Sequence, residues 1–433
     1  MKKTGLLFLL LLPLFLHAQG EPYEFKEVKM VQATPVKNQQ KTGTCWAFST
    51  ASFLESEAIR QGKGEHDFSE MFAARHIYRR KCENYVRRQG KANLSEGALA
   101  HDLLQVVRDF GIVPESAYPG KKDPAAPHDH SKLEKDLQAL CNELIALGAK
   151  GELPADWMKQ IEKRLDDEFG TPPVKFSYNG AVFTPVTFRD YLGINPDDYV
   201  NLTSFTHHPF WTSFILEIPD NYANGSFYNL PLNELMRTLN VALRSGYSVE
   251  WDADVSNPGF SAGNGLAIVP EKKWEELAEA DRKNRFSFWE SEKNVTQDYR
   301  QELFDRLITQ DDHLMHIVGV LDEANSGMYY AVKNSWGEIS EKKGLVYVSE
   351  AYMRLQTISI TVHKDAVPKD ILQRLGMVSA EQPKAAASPQ ERLRNGDAQL
   401  APQTNQLPMP SGAPPKASPP KKPAMKAAPS SKE

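Results

Sequence analysis

The chain carries, at residues 38–49, the stretch Asn-Gln-Gln-Lys-Thr-Gly-Thr-Cys-Trp-Ala-Phe-Ser. Apolar residues continue at helical spacing as far as Ile59, and glycines at positions 62 and 64 end the pattern. A helix that begins at Cys45 directs its N-terminal dipole at the sulfur, which favours the thiolate, the nucleophilic form of cysteine. Gln39, six residues earlier, is placed to donate its side-chain amide to an oxyanion, together with the backbone N–H of Cys45.

Two further motifs appear in the C-terminal third of the chain. His313 opens an apolar strand pattern, and Asn334-Ser335-Trp336-Gly337 follows a second one. A histidine beside a cysteine takes up the thiol proton and gives a thiolate–imidazolium pair, while Asn334 fixes the tautomer and orientation of the ring. Trp336 is placed to cover that hydrogen bond. His316 is a second candidate, but on an extended strand it points to the opposite face, and we favour His313.

Each of these residues also has an ordinary structural interpretation. Cysteine is usually a buried apolar residue, and a single histidine or loop glutamine usually carries no function. The spacing of Gln39, Gly43 and Trp46 around Cys45 favours the catalytic interpretation. Elsewhere, His128-Asp129-His130 lacks further ligands at suitable spacing, and Asp252 and Asp254 lack the rest of a calcium loop. The sequence therefore predicts no metal and no cofactor.

The two ends of the chain differ from the rest in composition. Residues 1–19 combine Lys2 and Lys3, a short apolar run and Ala18, which is typical of a signal peptide and too short for a membrane-spanning helix. Cleavage near Ala18 or Gly20 would place the protein in the periplasm or outside the cell, without stable membrane insertion. Residues 379–433 are rich in Pro, Ala, Ser, Gln and Lys, which predicts a disordered tail.

Net charge and cysteine content limit the possible classes further. The net charge is −5 with both signs mixed, and no basic stripe with interleaved aromatic residues suggests nucleic acid as a partner. Three cysteines leave at least one free thiol, so a disulfide framework is not expected. Cys82 and Cys141 are either bridged or two buried thiols.

Helical patterns dominate the first part of the chain, and strand patterns dominate the last third. Helices are predicted near residues 45–59, 71–78, 99–110 and 131–170. Strands are predicted at 247–251 and, as a hairpin, at 317–321 and 329–333, followed by 345–348 and 357–362. This order predicts an α+β domain with the active site between its helical and β-rich parts.

The order Cys45, His313, Asn334 resembles the papain superfamily of cysteine peptidases. Thr42 stands where secreted members carry a disulfide-forming cysteine, so that bridge is absent here. The separation of Cys45 from His313 is also about twice the roughly 130–150 residues found in papain-like enzymes. The resemblance therefore implies a papain-like domain over residues 20–378, with an N-terminal helical half, a C-terminal β-barrel-like half and a large insertion at about 121–300.

The motifs look most like the bleomycin hydrolase and aminopeptidase C branch of that superfamily. The shared features are the Asn-Gln-x-x-x-Gly-x-Cys-Trp start, the His-x-Met-x-x-x-Gly-Val strand from His313 and the Asn-Ser-Trp-Gly-Glu run from Asn334. The resemblance implies that Cys45 attacks, His313 transfers the proton, Asn334 orients it and Gln39 stabilises the oxyanion. Relatives are typically cytosolic hexamers whose C-terminal carboxylate meets the substrate amine. The predicted export and long tail depart from that pattern, and a homo-oligomer remains open.

We therefore expect an exported cysteine peptidase that acts on peptides through a thiolate acyl-enzyme mechanism, most simply as an aminopeptidase. The first alternative is an endopeptidase with an open cleft. The second is a catalytically idle binding or assembly protein that keeps the fold. A transglutaminase-like acyl transferase also uses a Cys–His pair but normally ends in an acidic third residue rather than Asn334.

Overall fold

An apolar run from Leu314 to Leu321, interrupted by His316 and Gly319, forms the central strand of the molecule. Its residues are buried on both faces of the sheet, which explains why the run does not alternate with polar residues. The computed structural model describes residues 21–123 and 125–378. The predicted signal peptide and the predicted tail lie outside these ranges. Among the described residues, no helix is both long and apolar enough to cross a membrane.

The described residues begin with a group of helices, and most of the strands follow later in the chain. The helices are α1 (Cys45–Arg60), α2 (Glu70–Arg87), α3 (Ala100–Phe110), α4 (Ser131–Ala149), α5 (Met158–Phe169), α6 (Pro185–Leu192), α7 (Leu232–Arg244), α8 (Glu279–Asn284), α9 (Gln297–Asp305), α10 (Glu350–Gln356) and α11 (Lys369–Arg374). The strands are β1 (Phe25–Met30), β2 (Phe176–Tyr178), β3 (Ala181–Phe183), β4 (Tyr199–Thr203), β5 (Ser213–Ile215), β6 (Ser226–Asn229), β7 (Val249–Ala253), β8 (Phe260–Ser261), β9 (Leu266–Ala267), β10 (His313–Glu323), β11 (Gly327–Lys333), β12 (Leu345–Ser349) and β13 (Thr357–His363).

Eleven of the described strands form one mixed sheet in the order β5-β6-β4-β13-β7-β10-β11-β12-β9-β8, with β1 also paired to β10. Strand β10 has β11 along one edge. On the other edge β7 pairs with its first residues, His313–Ile317, and β1 with its last, Gly319–Glu323. The pairs β4·β6 and β9·β12 are parallel, and the remaining pairs are antiparallel. The start of β10, and with it His313, thus lies in the middle of the sheet.

Two large hydrophobic cores lie on the two faces of this sheet. The first core packs the six helices α1 through α6 against the sheet, and it includes Leu314 and Ile358. The other packs α7, α10 and α11 against alternate residues such as Trp251 and Met315. Leu314 and Met315 face different cores because successive side chains of a strand point to opposite faces. Helix α1 therefore lies on the Leu314 face of β10.

The α+β class predicted from the sequence is confirmed, and most of the predicted helices and strands are present within a few residues of their expected ends. The β-rich part is an open sheet rather than the expected barrel, since the described strands β5 and β8 end the path without pairing to each other. The region expected as an insertion, 121–300, supplies six strands of this sheet. Its strand β7 lies directly beside β10, so that part of the region belongs to the core. Cys82 and Cys141 are both buried free thiols.

Candidate active site

Cys45 is the first residue of α1, as the sequence predicted. The preceding turn is held by Glu96, whose carboxylate accepts a hydrogen bond from the Gly43 N–H at 2.5 Å. The Trp46 indole N–H donates to the Glu96 backbone carbonyl at 3.1 Å. A Cβ at position 43 would lie 2.8 Å from the Glu96 Cβ, so the close approach requires glycine. Glu96 thereby fixes the entry to the helix and the position of its first residue.

The Cys45 side chain is 8% exposed and packs in the same core as Leu314. Burial raises the pKa of the Cys45 thiol to about 12, and the hydrogen bond from the Leu314 backbone N–H opposes this rise. The negative charges of Asp220, Asp252 and Asp311 raise the pKa further. The sulfur thus lies against the residue that follows His313, close to three carboxylates.

His313 begins β10 and is buried, with 4% of its surface exposed. Its Nε2 lies 2.8 Å from Asn334 Oδ1, and the same oxygen accepts the Ser335 backbone N–H at 2.7 Å. The Trp336 ring stacks on the imidazole with centroids 4.6 Å apart. The expected hydrogen bond and its aromatic cover are therefore both present. The bond engages Nε2 and leaves Nδ1 as the nitrogen for proton transfer with the thiol.

His316 has a different environment. Its Nδ1 lies 2.9 Å from Ser52 Oγ of α1. Ser52 is seven residues beyond Cys45, which corresponds to about 10 Å along the helix. Burial and the nearby Lys333 ammonium lower the pKa of His316 well below its usual value. These contacts favour a structural role for His316 and leave His313 as the candidate catalytic histidine.

Gln39 is held by hydrogen bonds at both ends of its side chain. Its Oε1 accepts from Ser335 Oγ at 2.6 Å, and its Nε2 donates to the Thr42 carbonyl at 2.7 Å. The Gln39 backbone N–H also donates to the Ser335 carbonyl at 2.8 Å. An amide nitrogen carries two hydrogens, so one N–H of Nε2 is left for a substrate oxygen. The backbone N–H of Cys45 lies in the first turn of α1, where the helix offers no acceptor.

The structure thus brings together all four residues predicted from the sequence, from segments at opposite ends of the domain. Besides the Gln39–Ser335 bonds, Asn38 and Trp336 form an isolated β-bridge. The Gly337 N–H donates to the Lys37 carbonyl at 3.0 Å. The loop before α1 and the loop after β11 are therefore joined by several hydrogen bonds beside Cys45.

Burial acts against the thiolate–imidazolium pair expected from the sequence. Burial lowers the pKa of His313 to about 4, and the bond to Asn334 opposes that shift. Burial of each group on its own therefore favours a neutral thiol and a neutral imidazole. A proton moved from Cys45 to His313 creates opposite charges that stabilise each other, which offsets part of the desolvation.

Several residues around the site escaped the sequence analysis. Ser335 lies inside the recognised motif, but nothing local indicates that its hydroxyl orients Gln39. Asp311 is two residues before His313, where an acidic residue could have been noticed. The sequence around Asp252 resembles only an incomplete calcium loop, and its register opposite Leu314 depends on a long-range strand pairing. Asp220 lies in the middle of the poorly predicted region, without a motif of its own.

Among the described residues, the structure contains one cluster that could hold a metal. It consists of His207, His208 and Glu217, whose candidate ligand atoms lie within 4.8 Å of one another. His128 and Asp129 lie in a loop, as predicted, and His130 directly precedes α4. The Asp254 carboxylate accepts hydrogen bonds from Ser256 and from the Gln310 backbone.

Comparison with known proteins gives the following matches. The model of the Peptidase C1-like family matches residues 91–384, a segment that contains His313 and Asn334 and begins after Gln39 and Cys45. The chain is 24% identical over 400 residues to aminopeptidase G of Lactobacillus delbrueckii subsp. lactis, covering 80% of this chain and 84% of that protein. It is 21% identical over 398 residues to bleomycin hydrolase of Gallus gallus, covering 80% and 84%. A crystal structure of PepW from Lactobacillus rhamnosis superposes with a TM-score of 0.64 at 19% identity, covering 81% of this chain and 85% of that one.

Proposed function

Because the chain belongs to the Peptidase C1-like family, in the branch of aminopeptidase C and bleomycin hydrolase, and is a cysteine peptidase, we propose that it removes residues one at a time from the free amino ends of peptides. The observation that carries the proposal is the His313–Asn334 hydrogen bond beside Cys45, whose sulfur meets the neighbouring Leu314 N–H. The names of the related aminopeptidases support the choice of an exopeptidase over an endopeptidase.

The first half of the proposed reaction forms an acyl-enzyme. The Cys45 sulfur attacks the carbonyl carbon of the first peptide bond, and His313 accepts the thiol proton. The carbonyl oxygen becomes negative and receives hydrogen bonds from the free N–H of Gln39 Nε2 and from the Cys45 backbone N–H. When the C–N bond breaks, His313 returns the proton to the departing amine, and the first residue remains on the sulfur as a thioester.

The second half releases that residue. A water molecule gives a proton to His313 and its oxygen attacks the thioester carbonyl, with the oxyanion again held by Gln39. Collapse of the intermediate breaks the C–S bond, returns the proton to the sulfur and frees the residue as an acid. Asn334 keeps the imidazole in one orientation through both halves, and Trp336 shields their hydrogen bond from water. No metal or organic cofactor takes part in the proposed steps.

The test compares matched peptide amides with free and acetylated amino ends, under reductant, with Cys45→Ala as the inactive control. We expect release of the reporter amine only from the free-amine substrates and none from the variant. Cleavage of internal bonds in acetylated peptides would make the protein an endopeptidase. Absence of any cleavage, with Cys45 inert toward iodoacetamide, would favour the binding or assembly role instead.

We further propose that the protein is exported. The lysines at positions 2 and 3, the short apolar run and Ala18 support this proposal. Cleavage near Ala18 or Gly20 would leave β1, which begins at Phe25, intact. Mass spectrometry of the chain isolated from the native cell should find an amino end near residue 19–21, in the envelope or medium. A cytosolic chain that keeps Met1 would refute export without affecting the peptidase proposal.

A further inference from the structure

Asp252 lies on the same side of the sheet as the Cys45 sulfur. Strand β7 places it directly opposite Leu314, and directly opposed side chains share a face with Cβ atoms about 4.5–5.5 Å apart. Leu314 packs in the same core as Cys45. Glu250, two residues earlier on β7, faces the same way, because Ser49 of α1 donates to its carboxylate at 3.4 Å. Asp252 is the next residue on this face of β7 after Glu250, and it lies nearer the start of α1.

Two more carboxylates, those of Asp220 and Asp311, lie near enough to Asp252 for their charges to act on it. The Asp220 backbone N–H donates to Asp311 Oδ2 at 3.2 Å, and Asp311 stands two residues before His313. Asp220 Oδ1 accepts from Asn93 Nδ2 at 3.1 Å. A Cβ at Gly97 would collide with the Asp220 carboxylate, which therefore rests against bare backbone. Asp220 and Asp311 are partly exposed, whereas Asp252 is fully buried.

Two carboxyl oxygens of this group have little hydrogen-bond compensation among the described residues. Asp252 is 0% exposed, and neither its Oδ1 nor Asp311 Oδ1 has a hydrogen-bond partner outside the Asp252–Asp311 pair among the described residues. Within the pair, a protonated Asp252 carboxyl donates to the Asp311 carboxylate. No Lys or Arg among those residues forms an ion pair with any of the three carboxylates. The nearby Lys81 ammonium donates to the Gly97 carbonyl, and it attracts Asp220 and Asp311 through space without an ion pair.

The pKa values of Asp252 and Asp311 are both raised, so these carboxyls hold their protons more strongly than exposed ones. Burial and the charges of Asp311, Glu250 and Asp220 raise the pKa of Asp252 well above its usual value. Burial and the charge of Asp220 raise the pKa of Asp311 to about 7. A cation bound among these groups would favour their charged forms, because it attracts the carboxylates and offsets their mutual repulsion.

We propose that Asp220, Asp252 and Asp311 form the subsite that binds the α-ammonium group of the substrate's first residue. This proposal rests on the aminopeptidase function proposed above and names the group that enforces it. The α-nitrogen of a first residue is only about 2.5 Å from the carbonyl carbon that is attacked, so its binding group must lie close to the sulfur. The three carboxylates are close enough that their charge acts on Cys45.

The same arrangement explains why longer or blocked amino ends are excluded. An acyl group in place of the ammonium would bring a carbonyl oxygen to acidic groups and leave their charge unpaired. A bound ammonium would also weaken the repulsion that the carboxylates exert on the Cys45 thiolate. A correct substrate therefore both fills the subsite and favours the nucleophile.

The experiment measures kcat and KM for alanyl, N-acetyl-alanyl and Nα-acetyl-lysyl amides of one fluorogenic amine. The variants are Asp220→Asn and Asp252→Asn, which keep the shape of the side chain, and the control is Asp322→Asn, an exposed position at the far end of β10. We expect about a 10- to 100-fold lower kcat/KM on the alanyl amide for the site variants, the size of a lost charge-assisted hydrogen bond. The rate on acetylated amides should stay level or rise, so that the preference for a free amine collapses. The control should keep the full preference.

Each other outcome has a distinct meaning. If the wild type prefers the free alanyl amide and the site variants keep that preference in full, the subsite is wrong. The aminopeptidase proposal then still stands. Equal cleavage of alanyl and acetyl-alanyl amides by the wild type refutes the aminopeptidase proposal itself. If the wild type prefers the acetyl-lysyl amide and Asp220→Asn loses that preference, the three carboxyls bind a basic side chain. The α-ammonium assignment would then be wrong. Thermal unfolding checks the fold, and if Asp252→Asn fails to fold, the partly exposed Asp220→Asn decides the test.

Discussion

Replacement of Gln39 by alanine should remove one of the two oxyanion donors while leaving the nucleophile intact. The Gln39 amide is already fixed by Ser335 Oγ at 2.6 Å and by the Thr42 carbonyl at 2.7 Å, so its remaining N–H is oriented before substrate binds. Such a preorganised donor contributes fully in the transition state. We therefore expect kcat to fall about 10²- to 10³-fold, equivalent to about 2.7–4 kcal/mol, with little change in KM.

Gln40→Ala is a matched control for this experiment. Gln40 is the next residue, is exposed, and uses its side-chain oxygen to accept a hydrogen bond from the His128 backbone N–H. Its replacement should leave kcat within about twofold. Substitutions of exposed residues usually change the folding stability by less than about 0.5 kcal/mol, so the site should keep its structure.

The assay pairs turnover with alkylation of Cys45 by iodoacetamide, a reaction in which no oxyanion forms. Gln39→Ala should lose turnover and keep its alkylation rate. If the two rates fall together, the substitution has disturbed the thiol, and the oxyanion role is wrong. Equal turnover by the Gln39 and Gln40 variants would refute the reasoning as well.

Three further predictions concern neighbouring residues. Asn334→Ala removes the acceptor 2.8 Å from His313 Nε2, and the loss of a hydrogen bond of this kind should lower kcat about 10- to 100-fold with KM nearly unchanged; an unaffected kcat would contradict the orienting role. His316→Gln should keep kcat within about tenfold of wild type, whereas His313→Gln should abolish turnover; the reverse result would exchange the two histidines. Burial raises the pKa of Glu250 from 4.5 to about 8, so its folded-state proton contributes stability at low pH that is lost as the pH rises through 8. Glu250→Gln should therefore match the wild-type Tm at pH 5 and exceed it at pH 9, and a Tm difference that does not grow with pH would refute this assignment.

The parts of the site that could be predicted from the sequence are those with a local signal. Helix α1 follows from apolar residues at helical spacing after Cys45, and the glycines at 62 and 64 mark its end. The β10–β11 hairpin follows from two apolar runs joined by a short turn at 325–327. The spacing of Gln39 before the cysteine and the order of His313 and Asn334 then suffice to propose the four catalytic roles.

The parts that escaped prediction depend on pairings between distant segments. Strand β7 lies beside β10 although some sixty residues separate them, and no local pattern indicates that neighbour or its register. The parallel pairs β4·β6 and β9·β12 likewise join segments whose sequence shows only short, ambiguous runs. The open sheet and the position of Asp252 both follow from these pairings, and Asp220 reaches the site through a loop.

Hydrogen bonds between the loop before α1 and the residues around Asn334 join positions that are almost three hundred residues apart. Ser335 and Gln39 are separated by 296 residues, and the Lys333 ammonium meets Thr34 Oγ1 at 2.9 Å across 299. Closing such long loops is slow compared with forming local helices, so α1 can form early while its surroundings are still incomplete. During synthesis, a ribosome must finish Ser335 before Gln39 can be oriented and His313 can meet Asn334. A growing or unfolded chain therefore carries the thiol but no assembled catalytic centre, and proteolytic activity is itself a signal that folding of the domain is complete.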